Sequence, residues 1–557
     1  MSPEHSGQLP VAPSLDPTLA SVGVHAPPVD RRVVLITLLA VGVAAGAAII
    51  ARVLTALIGL ITNLSFYGRW GTDLVSPADS PLGWWIVVIP IAGSIIVGFM
   101  ARYGSAAIRG HGIPEAMEQV LTNESRIPVR MTFLKPISAA IAIGTGGPFG
   151  AEGPIIATGG AIGSVLGQAI HVSANERKTL LAAGAAAGMT ATFGTPVAAV
   201  LLAIELLLFE YRARSLVPVA FACVTAQAMR SAAVGLAPVF AMPQVPQLTG
   251  EQIAIYCGIG VIVGIAAVGV TRLIYWIEDM FEHLPVHWMW WPAIGAIAVG
   301  LVGVWQPHTL GVGYDNIERT LQGSLEGQTL AVLVFAKLVS WSISLGSGTS
   351  GGTLAPLFTM GGGVGALLAA AAGVDPRVGA LVGMAAMFAG ASRALLASVV
   401  FAFETTRQPL GLLPLLGGCS AAYLVSCLVM PGSIMTEKLR RRGLRVPEAY
   451  GADLMDQIHV GDQAHGEPVV LDADHSVASL RPRMDRELLH HGYPVASHGK
   501  LLGVVTRHEV IAATDETTVG ALVRRPAVTA FPDETLRAAV ERMLTENVGR
   551  LIVVSRE

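Results

Sequence analysis

The chain has 557 residues, 52% of them hydrophobic and 13% charged, with 63 glycines and a formal net charge of −3. With a mean hydropathy of +0.60, this composition excludes an ordinary soluble protein and gives the fold class of an all-α polytopic membrane protein. The net charge itself says little, because in a membrane protein the placement of charge outweighs its sum, and no nucleic-acid partner is expected.

In chain order, residues 1–32 are rich in Pro, Ser and Val and lack an apolar core of signal-peptide type, so a disordered N-terminal tail is expected. Arg31 and Arg32 precede the first long apolar run, at about 33–62, and by the positive-inside rule they place the N-terminus in the cytoplasm. Further runs long enough to cross a bilayer lie at about 83–101, 252–275, 290–305 and 411–430, with shorter glycine-interrupted stretches between them. Cys223, Cys257, Cys419 and Cys427 all fall in apolar segments without paired or metal-ligand spacing, so they read as small hydrophobes and no metal site is expected. Lys438, Arg440, Arg441, Arg442 and Arg445 follow the last apolar run and put the C-terminal region in the cytoplasm too. The expectation is thus a multi-pass protein of the plasma membrane, surrounded by lipid. After about 446 the composition becomes that of a soluble α/β region, with short strands such as GVV at 503–505 and LIVV at 551–554.

The hydrophobic region repeats itself at a shift of about 202 residues. GHGIPEAMEQVL at 110–121 lies over GVGYDNIERTL at 311–321, and GAEGPIIATGGAIG at 150–163 lies over GGTLAPLFTMGGGVG at 351–365. Lys135 and Lys337 coincide, as do the runs ending at Glu205 and Glu404. Two membrane units, each broken by Gly and Pro at corresponding places (about 33–230 and 250–440), point to a transporter with a site where the broken helices meet.

Pro114, Pro154 and Pro356 sit where a first helical turn tolerates proline. Glycines just before them let free backbone N–H groups approach a ligand, while the helix dipoles add partial positive charge. Such a site suits an anion that must also leave. Close packing between helices is the alternative role for any one of these glycines.

At these motifs the chain resembles the CLC family of chloride channels and chloride/proton exchangers over roughly 33–445. The family's GSGIP appears as GHGIP (110–114), its GREGP as GAEGP (150–154) and its GxFAP as GTLAP (352–356); GAAAGMTATFGTPVAAVLLAIE (184–205) and LGVGYD (310–315) are also similar. The resemblance implies inverted halves, a homodimer with one anion pathway per subunit, and cytoplasmic termini. It places the anion among Gly110, His111, Gly112, Ile113, Pro114, Gly150, Ala151, Gly153, Pro154, Gly352, Thr353, Leu354, Ala355 and Met435. It makes Glu152 the gating glutamate and proton carrier. An ionised carboxylate is itself an anion that helix N-termini hold, and protonation releases it. The plainer role for Glu152 is an acid that complements its helix dipole.

The departures matter as much. His111 stands for the filter serine, Ala151 for the arginine beside the gate, Leu354 for the GxFAP phenylalanine, and Met435, in SIMTEKL (433–439), for a tyrosine. His111 either offers a ring N–H to the anion or turns away from it. In the exchangers an inner glutamate follows the acid matching Glu205; here that position is Leu206. Glu205 and, as the residue at i+4 from Leu206, Glu210 are the proton-pathway candidates.

The tail holds two similar pieces. HGYPVASHGKLLGVVTRHEV (491–510) resembles the core of a CBS module, and NVGRLIVVSRE (547–557) the start of a second, incomplete one. Thr506 with Glu509 resembles, weakly, the Thr-acid pair by which CBS modules contact the ribose of an adenine nucleotide; a purely structural tail is the other reading. No cofactor is required. An enzyme is not expected: GTSG at 348–351 matches an intramembrane serine-protease pattern, but no histidine base occurs between 309 and 458. Transport of chloride or a similar small monovalent anion therefore stands, as proton-coupled exchange or, given Leu206, as a passive channel.

Overall fold

The computed structural model describes residues 31–170, 172–444, 446–447, 455, 458–464, 468–483, 490–546 and 548–555. Residues 1–30 of the tail expected over 1–32, with Arg445, 448–454 and Asn547, lie outside the described residues. Arg31 and Arg32 do not belong to that tail: they form the first turn of a helix, and Arg32 pairs with Glu176 at 2.5 Å. The chain divides into a membrane unit, up to Tyr450, and a C-terminal unit from Gly451.

The membrane unit is two successions of eight helices. The first holds α1 (Arg31–Tyr67), α2 (Val88–Phe99), α3 (Ile113–Thr122), α4 (Met131–Gly144), α5 (Glu152–Ala169), α6 (Ala174–Phe193), α7 (Pro196–Ala203) and α8 (Ala213–Val234). The second repeats them in order: α9 (Gly250–Glu282), α10 (Trp291–Trp305), α11 (Tyr314–Leu321), α12 (Gly327–Gly346), α13 (Leu354–Ala371), α14 (Pro376–Ser392), α15 (Leu395–Thr406) and α16 (Leu412–Val429). A short α17 (Glu437–Arg441) follows.

Eight of the described helices are long and apolar enough to cross a membrane, rather than the five runs expected. The additional ones are Ala213–Val234, Gly327–Gly346 and Leu354–Ala371. Arg214 and Arg230 in the first, Lys337 in the second and the glycines of the third break up their apolar character in sequence, and of the charged residues only Lys337 is fully buried.

The broken helices explain the buried lysines. Chain that stops short of a helix leaves carbonyls without partners in a medium that offers no water. Lys135 on α4 donates to the carbonyls of Ile108 and Gly110, both at 2.8 Å. Lys337 on α12 does the same for Thr309 at 2.9 Å and Gly311 at 3.4 Å. The acids that end the matched runs are reciprocal caps: Glu205 accepts from Leu396 and Ala397 at the start of α15, both at 3.0 Å, and Glu404 accepts from Val197 and Ala198 at the start of α7, at 3.1 and 2.9 Å. Gly150 and Gly352 form an antiparallel bridge through two backbone hydrogen bonds of 3.3 and 2.9 Å. A pseudo-two-fold axis thus passes between matched residues, and the halves are inverted repeats.

Small residues close the hairpins within each half. A Cβ on Gly163 would overlap the Leu180 carbonyl, and one on Gly365 the Gly379 carbonyl, so at these positions helix packing is the role of glycine. On one face of the unit, ion pairs join Arg32 to Glu176, Arg177 to Glu124 and Arg442 to Glu118, which brings the basic residues at both ends of the helical region to the same side. Of the cysteines, Cys223 and Cys419 are buried and Cys257 partly so, but Cys427 is exposed on α16.

The C-terminal unit carries a three-stranded sheet in which β1 (Leu471–Asp472) runs parallel to β2 (Gly492–Ser497), and β2 antiparallel to β3 (Lys500–Thr506). The second copy has, among the described residues, only the parallel pair β4 (Thr529–Ala530) and β5 (Ile552–Val553). Val477, Val495, Val505 and Val519 fill the core of the first.

Candidate functional site

Three helices start toward one point: α3 at Ile113, α5 at Glu152 and α13 at Leu354. Pro114, Pro154 and Pro356 all stand in first turns, and the amides of Ile113, Gly153, Leu354 and Ala355 have no acceptor within their helices. Gly112, at φ 94°, takes a conformation that a side chain rarely adopts, and a Cβ there would lie 2.6 Å from the Gly153 carbonyl. A Cβ on Gly352 would lie 2.6 Å from the Gly150 carbonyl and 2.8 Å from the Glu152 carboxylate. These glycines therefore let the helix starts approach one another and, at Gly352, the Glu152 carboxylate, whereas Gly163 and Gly365 serve packing within each half.

Glu152 is 1% exposed. Its Oε1 accepts from the Tyr314 hydroxyl at 2.9 Å, while Oε2 is buried and closes no hydrogen bond among the described residues. The Ala355 amide faces the same carboxylate. Ala151 leaves no guanidinium beside it. The carboxylate lies in the field of helix N-termini, with the Tyr314 hydroxyl as its side-chain donor among the described residues.

Tyr314 is the site residue that sequence reasoning missed. It stands in the LGVGYD stretch, and in the repeat register it is the mate of Ile113, which carries no polar group to signal the role. Its ring packs edge-on against Phe193 at 5.7 Å and Phe240 at 6.0 Å, which fixes the hydroxyl. The hydroxyl missing at Met435 is thus not the only one near the path. Met435 itself is packed in the apolar core, with its amide donating to Ser433 Oγ at 3.3 Å, so it offers the anion neither a side-chain donor nor a free N–H.

Two cavities approach the gate, and Glu152 lines neither. One, of about 670 Å³, reaches Ala151 and Tyr314 and is bordered by Arg52 and Arg230. The other, of about 690 Å³, reaches Gly110 and His111 and opens beside Lys438 and Arg442. His111 is 7% exposed and its Nδ1 has no hydrogen-bond partner among the described residues. Beside it, Glu115 accepts from the Gly112 amide at 2.7 Å and from Lys438 at 3.0 Å, which fixes the start of α3 to α17.

The proton-pathway candidates fare differently. Glu205 is engaged as the α15 cap. Glu210 does not share a helical face with Leu206, because a π turn over Ile204–Leu208 and a left-handed Phe209 (φ 54°) end the helix first. Glu210 instead accepts from Ser215 at 2.5 Å and lies 3.8 Å from Arg212. In the C-terminal unit Thr506 and Glu509 cap the short helix α20 (Arg507–Ala512): Glu509 accepts from the Thr506 amide at 2.8 Å and its hydroxyl at 2.7 Å. These bonds hold the Glu509 carboxyl below its ordinary range. The pair also borders a cavity of about 610 Å³ with Arg524, Arg525 and Arg550. Among the described residues, no group of three or more His, Cys, Asp or Glu is arranged to hold a metal.

Inverted halves, broken helices and a buried carboxylate where their N-termini converge define an anion-transport protein of the membrane. The voltage gated chloride channel family model matches residues 92–427, and the chain belongs to that family. The CBS domain model matches 462–516 and 519–557. This is a family of channels and transporters rather than enzymes. Among its relatives, the putative chloride channel protein ClcB-like of Ralstonia nicotianae is 29% identical over 384 residues, covering 66% of this chain and 89% of that protein. The H(+)/Cl(-) exchange transporter ClcA of Vibrio parahaemolyticus is 28% identical over 387 residues, covering 66% and 82%. In structure the chain is similar to a slow cyanobacterial Cl-/H+ antiporter, with a TM-score of 0.66 at 21% identity, over 73% of this chain and 97% of the other.

Proposed function

We propose that the protein exchanges chloride, or a similar small monovalent anion, for protons across a membrane, with Glu152 as gate and proton carrier. One observation carries this reading: a buried carboxylate occupies the point where three helix N-termini converge, with the Tyr314 hydroxyl its side-chain donor and Oε2 closing no hydrogen bond among the described residues. Ionised, it takes the place of an anion; protonated, it loses that attraction and yields the site. Relatives that are exchangers support coupling. Leu206, apolar where the inner acid is expected, favours the second reading, a passive channel.

Purified protein in liposomes, with chloride efflux and proton flux recorded together under a chloride gradient, decides between them. Uphill proton movement establishes exchange; chloride flux without it establishes a channel. The basic residues gathered on one face support a plasma-membrane protein with both termini in the cytoplasm. The family resemblance supports a homodimer in lipid. The three arginines beside Thr506 and Glu509 support an adenine nucleotide in the CBS region, bound through its phosphates.

A further inference from the structure

Exchange requires a proton to reach Glu152 from the face that carries Lys438 and Arg442, and the positions expected for it are occupied otherwise. Leu206 and Glu205 border a separate cavity of about 460 Å³ that does not include His111. Glu205 spends both oxygens on α15, and Glu210 is engaged with Ser215.

The cavity that does reach the filter carries four acids: Glu115, Glu118, Glu278 and Glu282. Glu115 is committed to Gly112 and Lys438, and Glu118 pairs with Arg442 at 2.6 Å. Glu278 and Glu282 are different. They stand one turn apart at the end of α9, on one helical face, and among the described residues neither closes a hydrogen bond or an ion pair. Glu282 is exposed at the rim and Glu278 half-buried on the wall. At the inner end stands His111, whose buried Nδ1 has no hydrogen-bond partner among the described residues.

The charged groups around Glu278 are Lys438, Arg441, Arg109 and Glu282; those around His111 are Glu115, Lys438 and Lys135. Arg109 is held against the rings of Trp288 and Trp291 at 5.0 and 5.4 Å. Arg109, Lys438 and Arg442 border the same space, so three cations stand against its four acids.

We propose that Glu278 is the inner proton acceptor of this chain, supplied by Glu282, and that the proton travels through the anion's own vestibule by way of water to His111, whose ring accepts it at one nitrogen and releases one from the other toward Glu152. Each step moves one proton between neutral and charged forms of named groups, and Glu278 returns to a carboxylate when the proton leaves. The proposal rests on the exchange reading above.

The test uses the full chain in liposomes, with chloride and pH electrodes recording both fluxes. Glu278→Gln lowers the proton-to-chloride flux ratio by about tenfold or more, and Glu278→Asp restores it. Glu282→Gln, on the exposed rim where folding is insensitive, lowers the ratio by about twofold. Leu206→Ala and Glu210→Gln leave it unchanged. A wild type that moves protons while Glu278→Gln and Glu282→Gln keep its ratio overturns this route alone. A wild type that moves chloride and no protons overturns the exchange reading and the route together.

Discussion

The two halves of the membrane unit share a skeleton and divide the chemistry. Lys135 and Lys337 satisfy equivalent carbonyls, Glu205 and Glu404 cap equivalent helices, and Gly150 faces Gly352. Yet the mate of Glu152 is Leu354, the mate of His111 is Val312, and the mate of Tyr314 is Ile113. Groups that satisfy backbone recur because both copies break their helices in the same way. Groups at the candidate site occur once, as the proposed single gate requires, with its carboxylate from the first half and its hydroxyl from the second.

The sharpest break of that comparison is Glu152→Gln, a fixed mimic of the protonated gate. Proton flux falls by at least about 100-fold while chloride flux persists in the same liposome recording. A variant that still drives protons uphill removes Glu152 from the role.

Next are the skeleton lysines. Lys135→Met and Lys337→Met each leave two buried carbonyls without a donor, so each destabilises by about 3 kcal/mol, read as a loss of monodisperse protein or a lowered melting temperature. The effect is equal within about 1 kcal/mol. A loss confined to one half shows that the skeleton is less symmetric than its hydrogen bonds.

Tyr314→Phe removes the one side-chain donor on the gate and weakens its hold on the site. Chloride flux rises by about fivefold, whereas Ile113→Val, at the mate position, leaves it unchanged. A slower Tyr314→Phe means that the hydroxyl serves the anion and not the carboxylate.

The smallest effect lies in the C-terminal unit. Thr506→Ala removes the cap of α20 and costs about 1 kcal/mol in chemical denaturation of the soluble part of the unfolding curve. Because the folded Glu509 carboxyl is depressed, its contribution is present at neutral pH and is lost as pH falls through and below the ordinary carboxylate range. Thr506→Ala therefore flattens the acid limb of that curve; an unchanged limb shows that the cap does not hold Glu509.

Much of this was legible in the residues. The repeat register located the helix breaks, and GAEGP located the buried carboxylate at the converging helix starts, because glycine, proline and one acid in an apolar frame have few other reasons to occur together. Tyr314 was not legible, since its mate is apolar and an aromatic after a glycine has many roles. The π turn and left-handed Phe209 that detach Glu210 from the face of Leu206 leave no mark in the sequence, where regular helical spacing is the default. Glu278 and Glu282 read as the polar end of a crossing helix until the fold laid them along a cavity.

The reciprocal caps have a mechanical consequence. To rock one half against the other, the Glu205 and Glu404 caps and the Gly150–Gly352 bridge would have to separate. The halves are stitched, so on the exchange reading the part expected to move is a side chain. Spin labels placed on α5 and α13 away from the path will keep one sharp distance distribution from low to high pH and with or without chloride, while the solvent accessibility of position 152 changes between those states.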